Sequence, residues 1–188
     1  MDNTKENRSL ISKLVINHIA MSIFGLIMAI VTRFVADRNG GNKTLYYVAG
    51  IVAILLYAVV LYVNFWEKGA SDKIRVDGGR IKLNLYKGLY LSFLANIPTI
   101  IFGIFAMINS YVENDFTGLL AALSPLYNGM YTIFTDAEGL ALGIHFPPFF
   151  LFLSVPALII STVSYILGVK GYKCLFPEPK KQQNKNRQ

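Results

Sequence analysis

The sequence holds few of the groups with which proteins do covalent or metal chemistry. Its single cysteine, Cys174, excludes a disulfide within the chain and a cysteine-based metal cluster. The patterns Gly-x-Ser-x-Gly and His-Glu-x-x-His are both absent. The acids of the third loop and His145 lack a recognisable metal-ligand spacing, so we interpret them as solvated loop residues. The sequence therefore predicts a protein that is not an enzyme and that holds no metal or cofactor.

Four long stretches contain no Asp, Glu, Lys or Arg, and they are residues 14–32, 46–65, 88–108 and 149–167. A helix of about 20 apolar residues crosses a hydrocarbon core roughly 30 Å thick. The sequence therefore predicts an all-α integral membrane protein with a four-transmembrane-helix bundle as its single domain, residues 1–168. We expect residues 169–188 to form a basic cytoplasmic tail that is disordered towards its end. The uncharged spans disfavour ion-coupled transport, which normally uses charged residues inside the membrane.

Lys and Arg are distributed very unevenly among the segments that flank these stretches. None occurs in the 39 residues from Asn109 to Pro147, whereas residues 66–87 carry six and the 21 residues after Leu167 carry six more. The N-terminal segment, the second loop and the tail then hold 15 basic residues, and the first and third loops on the other side of the membrane hold 3. Because the basic side is normally cytoplasmic, this predicts cytoplasmic N- and C-termini. We expect the membrane to be the plasma membrane. The net charge of +7 does not indicate a nucleic-acid partner, because the cations flank spans instead of forming one face. We expect them to contact anionic lipid headgroups.

Residues 116–134 in the third loop are apolar enough to suggest a fifth crossing. They contain two helix-interrupting pairs, Ser124-Pro125 and Asn128-Gly129. A fifth span would also place the basic tail outside the cell. We therefore predict an interfacial or re-entrant helical segment that starts near Asn114 or Asp115.

The second loop has the pattern of a short cytoplasmic β-hairpin. Apolar and polar residues alternate from Lys73 to Leu85 on both sides of Asp77-Gly78-Gly79. A turn between two alternating runs is a hairpin signal. Because an isolated hairpin is only marginally stable, an irregular loop at the lipid surface is the alternative.

Small or weakly polar residues form a stripe along each predicted span. The stripes are His18, Ser22, Gly25 and Ala29; Gly50, Ala53 and Asn64; Ser92, Asn96, Thr99, Gly103 and Ala106; and Ser154, Ala157, Ser161, Ser164 and Gly168. Such residues let membrane helices approach closely, so we expect the stripes to face inward. His18 and Asn96, which precedes Pro98 by two residues, are the candidate intramembrane polar contacts. We interpret both as joining helices, and lining a polar path for a solute is the alternative.

Six residues at span ends, in the second loop and in the tail are candidates for contact with lipid or a partner, namely Trp66, Arg75, Arg80, Lys82, Lys170 and Lys173. Trp at a span end is typical of an interfacial anchor, and juxtamembrane cations are attracted to anionic lipid. The resulting hypothesis is an accessory or interaction subunit of a membrane complex, with a membrane-protein partner or a second copy of the chain. The alternative is an oligomeric pore or facilitator for a small solute that is not ion-coupled.

Overall fold

The computed structural model describes residues 3–42, 44–109, 111–112, 115–132 and 149–172, and all its regular elements in these ranges are helical. The elements are α1 (Asn3–Arg38), α2 (Thr44–Asp77), α3 (Lys87–Asn109), α4 (Asp115–Asn128), the 3-10 turn η1 (Gly129–Tyr131), α5 (Phe149–Phe152) and α6 (Val155–Lys170). The predicted all-α class is therefore confirmed.

Three of these helices are long and apolar enough to cross a membrane. Their apolar windows have mean hydropathies of 2.3 in α1, 2.4 in α2 and 2.1 in α3. At 1.5 Å per residue, α1, α2 and α3 are about 54, 51 and 35 Å long, so each exceeds a hydrocarbon core of roughly 30 Å. This supports the integral membrane class. Helices α1 and α2 are also much longer than their apolar runs. The additional residues are polar and lie mainly at the N-terminal end of α1 and at the C-terminal end of α2.

The fourth predicted span, residues 149–167, is not confirmed as one continuous helix. A turn at Leu153–Ser154 separates the four residues of α5 from the 16 of α6. Pro156 lies in the first turn of α6, where its missing N–H costs nothing. At 1.5 Å per residue α6 is about 24 Å long, shorter than a hydrocarbon core.

The predicted β-hairpin is not confirmed either, since residues 78–86 contain no strand and residues 73–77 continue α2. The helix ends at the two glycines instead. Gly79 has a φ of 68°, and the Arg80 N–H donates to the Arg75 carbonyl at 2.9 Å, which closes the last turn of α2. Residues 78–86 form an irregular loop, which was the alternative to the hairpin.

The third loop contains α4, which begins at Asp115 and continues through Ser124-Pro125 to Asn128. The α-helical geometry then tightens into η1 at Gly129. The helix packs against α3 and α1, and η1 packs against α1 and α2. Residues 115–132 of the third loop thus fold back onto the bundle.

The small-residue stripes face inward, as predicted. Ser22 and Ser161 are fully buried, and every other stripe residue is buried except Ala29 and Gly50, which are half-buried. One close approach is between α2 and α6, where a Cβ atom on Gly69 or Gly168 would overlap backbone of the other helix. Close approach through small residues is the main source of helix packing in lipid.

Candidate functional site

His18 lies in a closed hydrogen-bond cluster between α1, α2, α3 and α4. Only 2% of the residue is exposed. Its Nδ1 is 2.8 Å from the Tyr57 hydroxyl, and its Nε2 is 2.9 Å from the Tyr127 carbonyl and 3.2 Å from the Thr99 hydroxyl. The imidazole also stacks on the Tyr127 ring, with centroids 4.6 Å apart.

These contacts define the protonation of His18. A carbonyl oxygen can only accept, so Nε2 carries a proton, and in the neutral imidazole Nδ1 then accepts from the Tyr57 hydroxyl. Tyr127 lies in the last turn of α4, where carbonyls have no donor within the helix. The Ser22 hydroxyl donates to the same carbonyl. His18 and Ser22 on α1 therefore cap the C-terminal end of α4, a structural role that needs no charged partner.

Asn96 makes a different contact from the one that its position near Pro98 suggests. Pro98 has no N–H, so the Leu94 carbonyl loses its helical donor, and a nearby amide could have replaced it. Asn96 Nδ2 donates to the Ser92 carbonyl instead, at 2.8 Å. The Ser92 hydroxyl in turn donates to the Ala157 carbonyl of α6 at 3.4 Å. Asn96 is 3% exposed, and its Oδ1 receives no hydrogen bond from the described part of the chain. Asn96 is therefore linked to α6 through Ser92.

A network of ion pairs lies at one end of the bundle, beyond the apolar runs. Lys68 Nζ is 2.9 Å from Glu6 Oε1 and 3.1 Å from Asp72 Oδ1. Lys87 Nζ is 2.7 Å from Asp72 Oδ2, which also accepts from the Tyr165 hydroxyl at 2.9 Å. The side chain of Asp72 is 1% exposed and that of Lys68 is 4% exposed. Buried charges of this kind are tolerated because each is paired.

The network joins the four principal helices at a single level. Glu6 belongs to α1, Asp72 to α2, Lys87 to α3 and Tyr165 to α6. Arg75 of α2 also pairs with Glu6. Since α1 and α3 begin at this end whereas α2 and α6 finish there, it is the end that the charge distribution predicts to be cytoplasmic.

A partly open cavity of about 700 Å³ adjoins this network under the loop between α2 and α3. Its polar lining residues are Asn7, Asp72, Lys82, Asn84, Tyr86, Lys87, Tyr90 and Tyr165, and its apolar ones are Val76, Ile81 and Leu83. The cavity therefore combines cations and hydroxyl groups with an apolar wall. Such a mixed lining suits an amphiphilic ligand.

The predicted lipid- or partner-contacting residues fall into distinct settings. Arg80, Lys82 and Lys170 are exposed. Arg75 is engaged with Glu6, and Trp66 Nε1 donates to the Tyr172 carbonyl at 2.7 Å. Lys173 lies outside the described residues, as do the acids of the third loop and His145, apart from the backbone of Asp115.

Sequence reasoning missed the ion-pair network and the individual hydrogen-bond partners of His18. A usable signal was present for one pair, because Lys68 and Asp72 are four residues apart on a helix and therefore share a face. Their partners Glu6, Lys87 and Tyr165 are distant in sequence and carried no comparable pattern. Among the described residues, no group of three His, Cys, Asp or Glu side chains is placed to hold a metal ion.

Three helices long and apolar enough to span a membrane define the class, a helical integral membrane protein. No protein family, no curated protein and no solved structure matches the chain.

Proposed function

We propose that the chain is a non-enzymatic, multi-pass protein of the plasma membrane that acts as an accessory or interaction subunit of a membrane complex. The observation that supports this most is the ion-pair network, which ties α1, α2, α3 and α6 together at the predicted cytoplasmic end. Arg80 and Lys170 remain exposed beside it. A rigid end with outward cations suits contact with anionic headgroups and with acidic segments of a partner.

In this proposal both termini are cytoplasmic, and α5 with α6 makes the fourth crossing. The third loop then lies outside, and α4 re-enters the membrane from that side. The contact of Tyr127 with His18 supports re-entry, because His18 lies inside the apolar run of α1. Irregular backbone within a membrane requires such internal hydrogen-bond partners.

The interaction role predicts that exposed cytoplasmic cations hold the partner. We expect the full chain, expressed in its native membrane and extracted in mild detergent, to carry one partner in fixed ratio. Replacing Arg80 and Lys170 together by Gln should lower the retained partner by about 30-fold, at roughly 1 kcal/mol per cation. Quantitative mass spectrometry of the purified complexes measures this ratio.

The matched control is Arg38→Gln, an exposed cation at the opposite end of α1. It should retain the partner at the wild-type ratio. The interaction role is wrong if the wild-type chain carries no partner, or if the double variant and the control lose it equally.

The alternative function, an oligomeric pore or facilitator, is favoured by one observation. Asn96 Oδ1, Asn128 Oδ1 and Ser161 Oγ are buried on α3, α4 and α6 and make no hydrogen bond with the described residues. Buried polar atoms of this kind commonly bind water, and a row of waters is how a polar path through a bundle begins.

A flux measurement separates the two functions. With the purified chain in liposomes, we expect the rate of small-solute and water entry to equal that of protein-free liposomes. Asn96→Leu should then alter the stability of the protein but not the rate of solute or water entry. Flux above the protein-free rate that Asn96→Leu abolishes in a folded protein would favour the facilitator and contradict the accessory role.

A further inference from the structure

The cavity under the α2–α3 loop lies next to more positive than negative charge. The adjoining network contains three cations, Lys68, Arg75 and Lys87, and two carboxylates, Glu6 and Asp72. Within the described residues it therefore has a net charge of +1, and Lys82 in the cavity lining raises this to +2. The charged residues of the cavity lining are two cations, Lys82 and Lys87, and one carboxylate, Asp72, so the cavity attracts an anion.

The position of the cavity along the helices identifies where that anion comes from. Lys87 immediately precedes the apolar run of α3, and Tyr86 and Tyr90 beside it are 77% and 61% exposed. Exposed tyrosines at a span end mark the headgroup level of a bilayer. Ile74 and Leu83, also exposed, add apolar surface at the same level.

The lining also contains an acceptor that no described residue satisfies. Asn7 Oδ1 is buried and receives no hydrogen bond within the described chain. A ligand with a hydroxyl donor close to its negative charge would supply that bond, while the wall formed by Val76, Ile81 and Leu83 would cover its glycerol and upper acyl carbons.

We infer that this cavity is a binding site for one anionic phospholipid whose phosphate lies against Lys82 and Lys87 and whose headgroup hydroxyl donates to Asn7. This goes beyond the general attraction of basic loops to lipid, since it requires a discrete site. It depends on the membrane placement of the chain but not on its role as a subunit, so the two proposals fail separately.

The test uses the purified full chain in detergent with phosphatidylglycerol, phosphatidylcholine or inorganic phosphate added at matched concentrations. Native mass spectrometry should show one phosphatidylglycerol retained per chain, in preference to phosphatidylcholine. Lys82→Gln should weaken retention about five-fold, as expected for one cation at a headgroup. Lys82 is exposed and outside the ion-pair network, so the variant should fold.

Arg80→Gln is the matched control, because Arg80 is an exposed cation of the same loop that does not line the cavity. Equal losses from Lys82→Gln and Arg80→Gln would overturn the inference, and so would equal retention of the two lipids. Displacement of the lipid by inorganic phosphate alone would overturn the phospholipid assignment, because the cavity would then take the free anion.

Discussion

Asp72→Asn should destabilise the protein by about 3 kcal/mol or more, the cost of breaking a buried ion pair. The carboxylate of Asp72 contacts Lys68, Lys87 and Tyr165, and its side chain is 1% exposed. The amide keeps the shape but carries no charge. Lys68 and Lys87 would then remain at a buried site where Glu6 is the one remaining carboxylate of the network.

The measurement is a denaturant titration in detergent micelles, followed by the fluorescence of Trp66. This is the one tryptophan of the sequence, and its ring nitrogen donates to the Tyr172 carbonyl at this end of the bundle. A shift of the unfolding midpoint therefore reports on the region that the substitution changes. A second substitution, Lys87→Met, in the Asp72→Asn background should restore part of the loss, because it removes one of the two lysine charges that contacted the Asp72 carboxylate.

The matched control is Asp77→Asn on the same helix. Asp77 pairs with Lys73 at 2.6 Å, but the two side chains are 59% and 46% exposed. An exposed pair four residues apart contributes about 0.5 kcal/mol or less. If Asp72→Asn proves no more harmful than Asp77→Asn, the network does not hold the helix ends together.

The parts of the fold that follow from local pattern could be predicted from the sequence. Uncharged apolar runs predicted α1, α2 and α3, because a membrane excludes charge over a known length. The stripes predicted which residues of these helices are buried, because small residues mark close packing. Both signals lie within a single helix and need no knowledge of its neighbours.

The candidate site could not be predicted in the same way, because its contacts join distant parts of the chain. Asp72 lies where α1, α3 and α6 reach the same level, and Lys87 of α3 and Tyr165 of α6 contact its carboxylate. The loop from Gly78 shows a related limit. Its alternating pattern suits a strand, but the α2 helix continues to Asp77 and ends in a glycine turn.

Gly168→Ala should destabilise the protein by about 2–3 kcal/mol, since overpacked interiors lose roughly 1–3 kcal/mol per substitution. A Cβ atom at Gly168 would overlap the Trp66 carbonyl oxygen, and one at Gly69 would overlap the Tyr165 carbonyl oxygen. In each case the neighbouring atom is backbone and cannot rotate away, so α2 and α6 must separate. That separation would also lengthen the contact between Tyr165 and Asp72.

The control for this substitution is Gly78→Ala. A Cβ atom there would lie 3.4 Å from its nearest neighbour, the Ile74 carbonyl oxygen, which is an ordinary contact. We expect its unfolding midpoint to lie within about 0.5 kcal/mol of wild type, as for most surface substitutions. Gly168→Ala should also raise the exposure of Trp66 to an aqueous quencher, whereas Gly78→Ala should not. Equal midpoints and equal quenching for the two variants would mean that α2 and α6 do not cross as closely as described. The ion-pair network, which depends on that crossing to bring Tyr165 to Asp72, would then lose its link to α6.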